Sequence, residues 1–84
     1  MQDDFLYGNI KELDLHGFTR QEALCELLHT IQLADNNIDG IAIIHGYHGG
    51  KVLKELVRKE FKNDRIEKKV FVSASVTVYK LKKF

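Results

Sequence analysis

The chain has 84 residues, of which 44% are hydrophobic and 30% charged, and its formal net charge is +1. At roughly 100 to 200 residues per domain, this length holds one domain, and the composition excludes collagen-like and intrinsically disordered classes. We therefore expect a single domain over residues 1–84, with a loosely ordered N-terminal segment over residues 1–9.

The charge is distributed unevenly along the chain. Residues 1–50 contain two basic and eight acidic residues, whereas residues 51–84 contain eleven basic and four acidic residues. Clustered lysines and arginines neutralise phosphates and release their counterions, so the basic half favours a polyanionic partner. A solvated charged surface without any partner accounts for the charge alone equally well.

The sequence contains one cysteine, Cys25, which excludes an internal disulfide and the paired thiolates of a structural zinc site. The start of the chain is acidic, unlike the basic start of a secretory signal, and no apolar run approaches the roughly 18 residues of a membrane span. These features favour a cytoplasmic protein that has no membrane segment.

The first half of the chain predicts a strand, a helix and a second strand. Leu13 and Leu15 alternate with polar residues, which indicates a short strand over residues 11–15. Thr19 and Glu22 form a capping-box pattern, and apolar residues follow at helical spacing, which predicts a helix. The apolar run at residues 41–44 is typical of a central parallel strand that is buried on both faces.

The second half predicts a helix and a hairpin. Apolar residues between Val52 and Phe61 recur at helical spacing, with basic residues on the other face. Valines alternate on both sides of residues 73–75, which indicates two strands joined by a turn. Right-handed crossovers then place both helices on one face of a four-stranded mixed sheet. We predict an α/β fold of the α+β type, a β-α-β-α-β-β two-layer sandwich.

Candidate functional residues gather where the first two predicted strands end. Each strand is followed by a His-Gly pair, His16-Gly17 and His45-Gly46, at the sheet edge where ligands of α/β folds usually bind. Two imidazoles can divide the two proton transfers of phosphodiester cleavage. Asp14 can orient His16 or share a divalent cation with it. The candidate catalytic residues are Asp14, His16 and His45.

The segment after the second strand is suited to phosphate binding. Its glycines let backbone N–H groups approach an anion, and a glycine pair opens the second helix, whose N-terminus favours a phosphate. Neither a Walker A loop nor a dinucleotide-binding glycine pattern occurs, which excludes those two nucleotide sites. The candidate phosphate-binding residues are Gly17, Gly46, Tyr47, His48, Gly49, Gly50, Lys51, Lys54 and Arg58.

Aromatic residues and the cysteine have both a structural and a functional interpretation. Tyr79, together with Phe71 or Phe84, can stack on nucleic-acid bases, although aromatic residues on strands usually fill a core. Cys25 adjoins the apolar face of the first helix, and we interpret it as inert packing rather than as a nucleophile.

Two motifs in this order resemble the Smr (small MutS-related) domain family over nearly the whole chain. Residues 13–17 are Leu-Asp-Leu-His-Gly, and His45-Gly46 is followed by further glycines, as in the family's His-Gly-x-Gly-x-Gly motif. The resemblance implies a β-α-β-α-β-β sandwich, nucleic-acid binding and, in several members, nicking of DNA or endonucleolytic cleavage of RNA. It carries over at Asp14, His16, Gly17, His45, Gly46 and Gly50.

The chain departs from the family pattern at three places. In one of them, Leu53-Lys54 is the nearest match, one residue late, to the Leu-Arg pair that often follows the family's second motif. His48 stands where the family has its middle glycine, with Gly49 next to it, and residues 73–75 are Ser-Ala-Ser where the family commonly has glycines. His48 either adds a third imidazole to the site or marks a member that binds without cutting.

The primary hypothesis is an Smr-like endonuclease that nicks or cleaves DNA or structured RNA by histidine-based acid–base chemistry. The alternatives are a non-catalytic DNA- or RNA-binding module and a small protein-interaction domain. The sequence is compatible with cleavage that uses a divalent metal and with cleavage that uses none.

Overall fold

The computed structural model describes residues 8–46 and 51–83, so most of the predicted N-terminal segment lies outside the described residues. The elements follow the predicted order β-α-β-α-β-β. The strands are β1 (Ile10–Asp14), β2 (Gly40–Ile44), β3 (Ile66–Phe71) and β4 (Val76–Leu81). The helices are α1 (Arg20–Leu33) and α2 (Val52–Glu55), and α2 continues directly as a π-helical segment over Leu56–Glu60.

The sheet has the strand order β1-β2-β4-β3. β1 and β2 are parallel, and Asp14 lies opposite Ile44, whereas β4 runs antiparallel to both of its neighbours. This arrangement confirms the predicted four-stranded mixed sheet. It also brings the ends of β1, β2 and β3 and the start of β4 to one edge of the sheet, the edge at which the candidate residues were predicted.

One hydrophobic core lies between the sheet and the helices. Both helices pack against the same face of the sheet, which confirms the two-layer sandwich. Burying a large aliphatic side chain contributes about 1.5 to 3 kcal/mol relative to leaving it exposed, so this layer is the main source of stability. The core residues are Leu15, Ala23, Leu27, Ile31, Ala34, Ile41, Ile43, Leu56, Val57, Phe61, Tyr79 and Leu81.

The start of α1 confirms the capping box. The Thr19 hydroxyl accepts a hydrogen bond from the Glu22 N–H at 3.1 Å, and the Thr19 N–H donates to the Glu22 carboxylate at 2.9 Å. Two of the orphan amides at the helix start are thereby satisfied. The cap fixes where α1 begins and therefore the length of the turn between β1 and α1.

Three expectations about burial are resolved by the structure. Tyr79 is fully buried, so its interpretation as a core residue is confirmed and stacking of this ring on bases is excluded. Cys25 is exposed, so its interpretation as packing is wrong. β2 is central, but Ala42 and Ile44 are only partly buried because both helices cover the opposite face.

Across residues 8–46 and 51–83, no helix has both the length and the apolar character needed to cross a membrane.

Candidate nucleic-acid interface

The two His-Gly turns lie side by side at the sheet edge. The Leu15 N–H donates to the Ile44 carbonyl at 2.8 Å, which extends the pairing of β1 and β2 up to the turns. Gly17 and Gly46 have φ values of +83° and +69°, a region in which glycine is strongly favoured. A Cβ atom on Gly46 would lie 3.8 Å from the Cβ of His16. The predicted meeting of the two turns at this edge is therefore confirmed.

Asp14 and His16 form a hydrogen-bonded pair on the surface. The Asp14 Oδ1 lies 2.7 Å from Nδ1 of His16 and also accepts the His16 backbone N–H at 3.0 Å. These two hydrogen bonds lower the pKa of Asp14 below 3.8, so the carboxylate is ionised and Nδ1 must be the donor. The neutral ring of His16 then has its unprotonated nitrogen at Nε2, where it can accept a proton from a substrate.

His45 is only 4% exposed, and both of its ring nitrogens are hydrogen-bonded within the protein. Its Nδ1 lies 3.0 Å from the Gly46 carbonyl, which can only accept, so Nδ1 carries the proton. In the neutral ring, Nε2 then accepts from the Thr77 hydroxyl at 3.0 Å. That hydroxyl in turn accepts the Arg58 Nε–H at 2.6 Å. A chain of three hydrogen bonds therefore fixes the tautomer of His45.

The surroundings of His45 favour its neutral form. Burial lowers its pKa below 6.5, and the positive charges of Arg58 and Lys54 lower it further, against the opposing effect of the Gly46 carbonyl. His16 lies exposed beside a carboxylate on the surface, whereas His45 hydrogen-bonds the fully buried Thr77. The structure thus brings the two turns together but gives the two imidazoles different environments.

Arg58 joins the second helical segment to the β3–β4 turn. It donates to the carbonyls of Ser73 and Val76 and to the Thr77 hydroxyl, and its Cζ lies 4.4 Å from the ring centroid of Phe71. The guanidinium thus already binds three acceptors of the chain itself. The observed contacts of Arg58 are with the β3–β4 hairpin, whereas a contact between Arg58 and a phosphate stays a prediction.

A groove of about 260 Å³ runs beside α2 and the end of β3. It combines four basic side chains with one carboxylate and one aromatic ring. Three of the predicted phosphate-binding residues, Lys51, Lys54 and Arg58, contribute to it. Four others lie outside the described residues: Tyr47, His48, Gly49 and Gly50. The lining residues are Lys51, Lys54, Glu55, Arg58, Lys59 and Phe71.

Metal ligands are sparse in the part of the chain that the structure describes. Within it, no group of three or more His, Cys, Asp or Glu side chains could hold a metal ion. Asp14 and His16 alone would supply two ligands, and His48 lies outside the described residues.

The sequence analysis missed the β3–β4 turn as part of the site. The Ser75 carbonyl accepts the N–H groups of His45 and Gly46 at 2.9 and 3.1 Å, so the hairpin supports the second His-Gly turn. Thr77 was missed as well, although a threonine on the core-facing side of an apolar strand is a usable signal, because its hydroxyl must find a partner. Its partner, His45, lies 32 residues away in the sequence, and no local pattern identifies it.

The family model of the Smr domain matches residues 13–76 of the chain. The chain belongs to the Smr domain family. The crystal structure of the Smr domain of Thermus thermophilus MutS2 is similar, with a TM-score of 0.75 and 28% sequence identity, and the match covers 86% of this chain and 98% of that chain. A search of curated proteins finds no significant match. Smr domains generally bind nucleic acids and are related to nucleases, and the family resemblance found in the motifs is thus confirmed.

Proposed function

We propose that this Smr domain binds DNA or structured RNA and cleaves or nicks it as an endonuclease. The observation that carries the proposal is the Asp14–His16 pair, an exposed imidazole oriented by an ionised carboxylate beside the Gly46 turn. Such a pair is suited to proton transfer near neutral pH. We also propose that the protein is located in the cytoplasm.

Substrate binding is assigned to the groove and the glycine turns. The exposed Lys51 directly precedes α2 and the partly buried Lys54 lies within it, and both can neutralise phosphates. The family motif implies that the glycines at residues 46–50 approach the same backbone. Phosphates bound here would place a scissile bond near the adjoining His16 turn.

In the proposed chemistry, Nε2 of His16 takes a proton from the attacking water or ribose hydroxyl, and Asp14 stabilises the imidazolium that forms. The leaving oxygen must then be protonated, a role that we assign to His45. Because Nε2 of the neutral ring carries no proton, His45 must first take up a proton there and exchange its Thr77 hydrogen bond for one with the substrate. In the alternative, Asp14 and His16 would hold a divalent cation that would activate the nucleophile, and EDTA treatment distinguishes the two.

The test is cleavage of supercoiled DNA and of a structured RNA by the wild type and single variants, with binding scored in the same samples. His16→Ala should lower the cleavage rate by about 100-fold or more while changing affinity little, and Asp14→Asn and His45→Ala should also lower it. His29→Ala is the matched control, because His29 is an exposed histidine on α1 away from the site. Cleavage that persists in His16→Ala and His45→Ala would contradict the assigned chemistry.

A specific observation favours the second function, a module that binds nucleic acid without cutting it. Both ring nitrogens of His45 are already hydrogen-bonded within the protein, and burial lowers the pKa of this imidazole. Binding without cleavage by the wild type would establish this second function. A protein that binds neither substrate would contradict both nucleic-acid functions and leave the small protein-interaction domain as the alternative to test.

A further inference from the structure

We propose that the groove beside α2 binds an unpaired nucleotide, with its base on the Phe71 ring and its phosphates on Lys51, Lys54 and Lys59. The inference rests on the proposed nucleic-acid binding and adds a preference to it. Strands with unpaired bases should bind better than a continuous duplex, because bases in a duplex are stacked on one another and their faces are not available to a protein ring.

Phe71 is placed and oriented as a stacking surface. It is 57% exposed at the end of the edge strand β3, and it lies opposite Thr77, so it shares the helix-covered side of the sheet. The guanidinium of Arg58 lies over the ring, and three hydrogen bonds to the chain hold that guanidinium in place. A ring that is oriented before binding loses less conformational freedom when a base stacks on it.

The charge around the ring selects a phosphate-bearing ligand. Four basic side chains and one carboxylate line the groove, so its balance is strongly positive. Lys51 and Lys59 are exposed, and Lys54 is partly buried. Aromatic stacking combined with a cationic groove is the arrangement with which proteins bind single strands irrespective of sequence. An acidic peptide would use the cations but has no base to place on Phe71.

The groove and the Asp14–His16 pair lie at the same edge of the sheet. In the order β1-β2-β4-β3, the ends of β1 and β3 are three strand spacings apart, roughly 14 Å. A stacked strand rises about 3.4 Å per nucleotide, so this separation corresponds to about four nucleotides. A substrate with a duplex next to an unpaired stretch would therefore span both places.

The experiment uses the absence of tryptophan from the chain. Phe71→Trp introduces the chain's one tryptophan at the proposed stacking position, and oligothymidylate should quench the tryptophan emission. A blunt duplex with the same total number of phosphates should quench it much less. Phe71→Ala should weaken binding of oligothymidylate by about ten-fold and binding of the duplex by less than about two-fold. Val72→Ala is the matched control, since Val72 is the neighbouring exposed apolar residue.

Three outcomes would overturn the inference. Equal losses of single-strand and duplex binding in Phe71→Ala would show a general effect on the surface and not stacking. Thermal melting of each variant checks that the variant is folded. An unquenched Phe71→Trp variant that still binds oligothymidylate would exclude stacking while leaving nucleic-acid binding intact. Competition by polyglutamate as strong as by oligothymidylate would point to an acidic protein partner. If the wild type binds neither nucleic acid, the proposed function itself fails. If it does bind, weaker binding by a Lys51→Glu/Lys54→Glu variant would show that the binding is electrostatic.

Discussion

His16 and His45 each stand directly before a glycine with positive φ at the end of a parallel strand, yet their rings have opposite environments. The His16 ring is exposed and hydrogen-bonds a carboxylate, whereas the His45 ring is buried and hydrogen-bonds neutral groups. Exchange of protons with a substrate requires access to it. His16 is therefore the better placed of the two for chemistry, and His45 is the better placed to hold its turn in shape.

Thr77 is the residue on which the arrangement of His45 depends. Thr77→Val keeps the shape of the side chain but removes the hydroxyl, which leaves His45 Nε2 without its donor and Arg58 Nε without its acceptor. We expect the free energy of unfolding to fall by about 1 to 3 kcal/mol, as measured by urea denaturation. Thr77→Ser keeps the hydroxyl and should retain more of the stability. A serine variant that is no more stable than the valine variant would contradict this role.

The sequence indicates the positions of the two histidines but not the environments of their rings. Alternating Leu13 and Leu15 and the glycine after each histidine are local features, so both turns are predictable. The difference between the rings depends on Asp14, which is near in sequence, and on Thr77, which is distant. Only the contact between Asp14 and His16 could be predicted from the sequence, because these two residues are two positions apart.

The second helix changes its geometry where it passes over the sheet. After one turn of α-helix, the chain continues as a π-helix, and the Phe61 N–H donates to the Leu56 carbonyl five residues earlier at 2.7 Å. Both of these residues are buried in the core, so the wider turn keeps both side chains facing the sheet. Helical periodicity predicted the segment, but it could not distinguish the two helix types, because their apolar spacings overlap.

Lys69 on β3 caps the end of this helical segment. Its ammonium donates to the Phe61 carbonyl at 2.6 Å and to the Arg58 carbonyl at 3.3 Å, and it lies 5.4 Å from the ring centroid of Tyr79. Lys69→Met should lower the free energy of unfolding by about 1.5 kcal/mol, because the carbonyls lose a charged donor. Lys68→Met, at the exposed neighbouring position, should change it by less than about 0.5 kcal/mol. Equal effects in thermal or urea unfolding would refute the cap.

The position of β4 organises the whole molecule. β4 lies between β2 and β3 and antiparallel to both, so its Thr77 and Tyr79 face the core from the centre of the sheet. The hairpin of β3 and β4 was predictable, but its place beside β2 was not, because no local pattern specifies which strand pairs with a central one. The same placement brings the turn of the basic C-terminal half against His45 and Gly46.

Stability of the whole domain should depend on pH through His45. Burial lowers the pKa of this histidine in the folded chain, whereas in the unfolded chain it titrates near 6.5. Below that pH the unfolded chain binds a proton that the folded chain resists, so unfolding becomes easier. The stabilising contribution is therefore fully present above about pH 6.5, and it is lost as the pH falls from there towards the lower pKa of the folded state.

Urea denaturation at several values between about pH 8 and pH 5 measures this dependence. The free energy of unfolding should decline on the acidic side by at most about 1.4 kcal/mol per pH unit, and His45→Gln should remove most of that decline. His29→Gln, at an exposed position on α1, should keep the wild-type slope. The lowered pKa values of Asp14 and Asp39 contribute stability that is lost mainly at more acidic pH, as the pH falls towards and below 3.8. An unchanged slope in His45→Gln would show that the buried imidazole is not the group that titrates, and the tautomer assigned from its hydrogen bonds would then need another explanation.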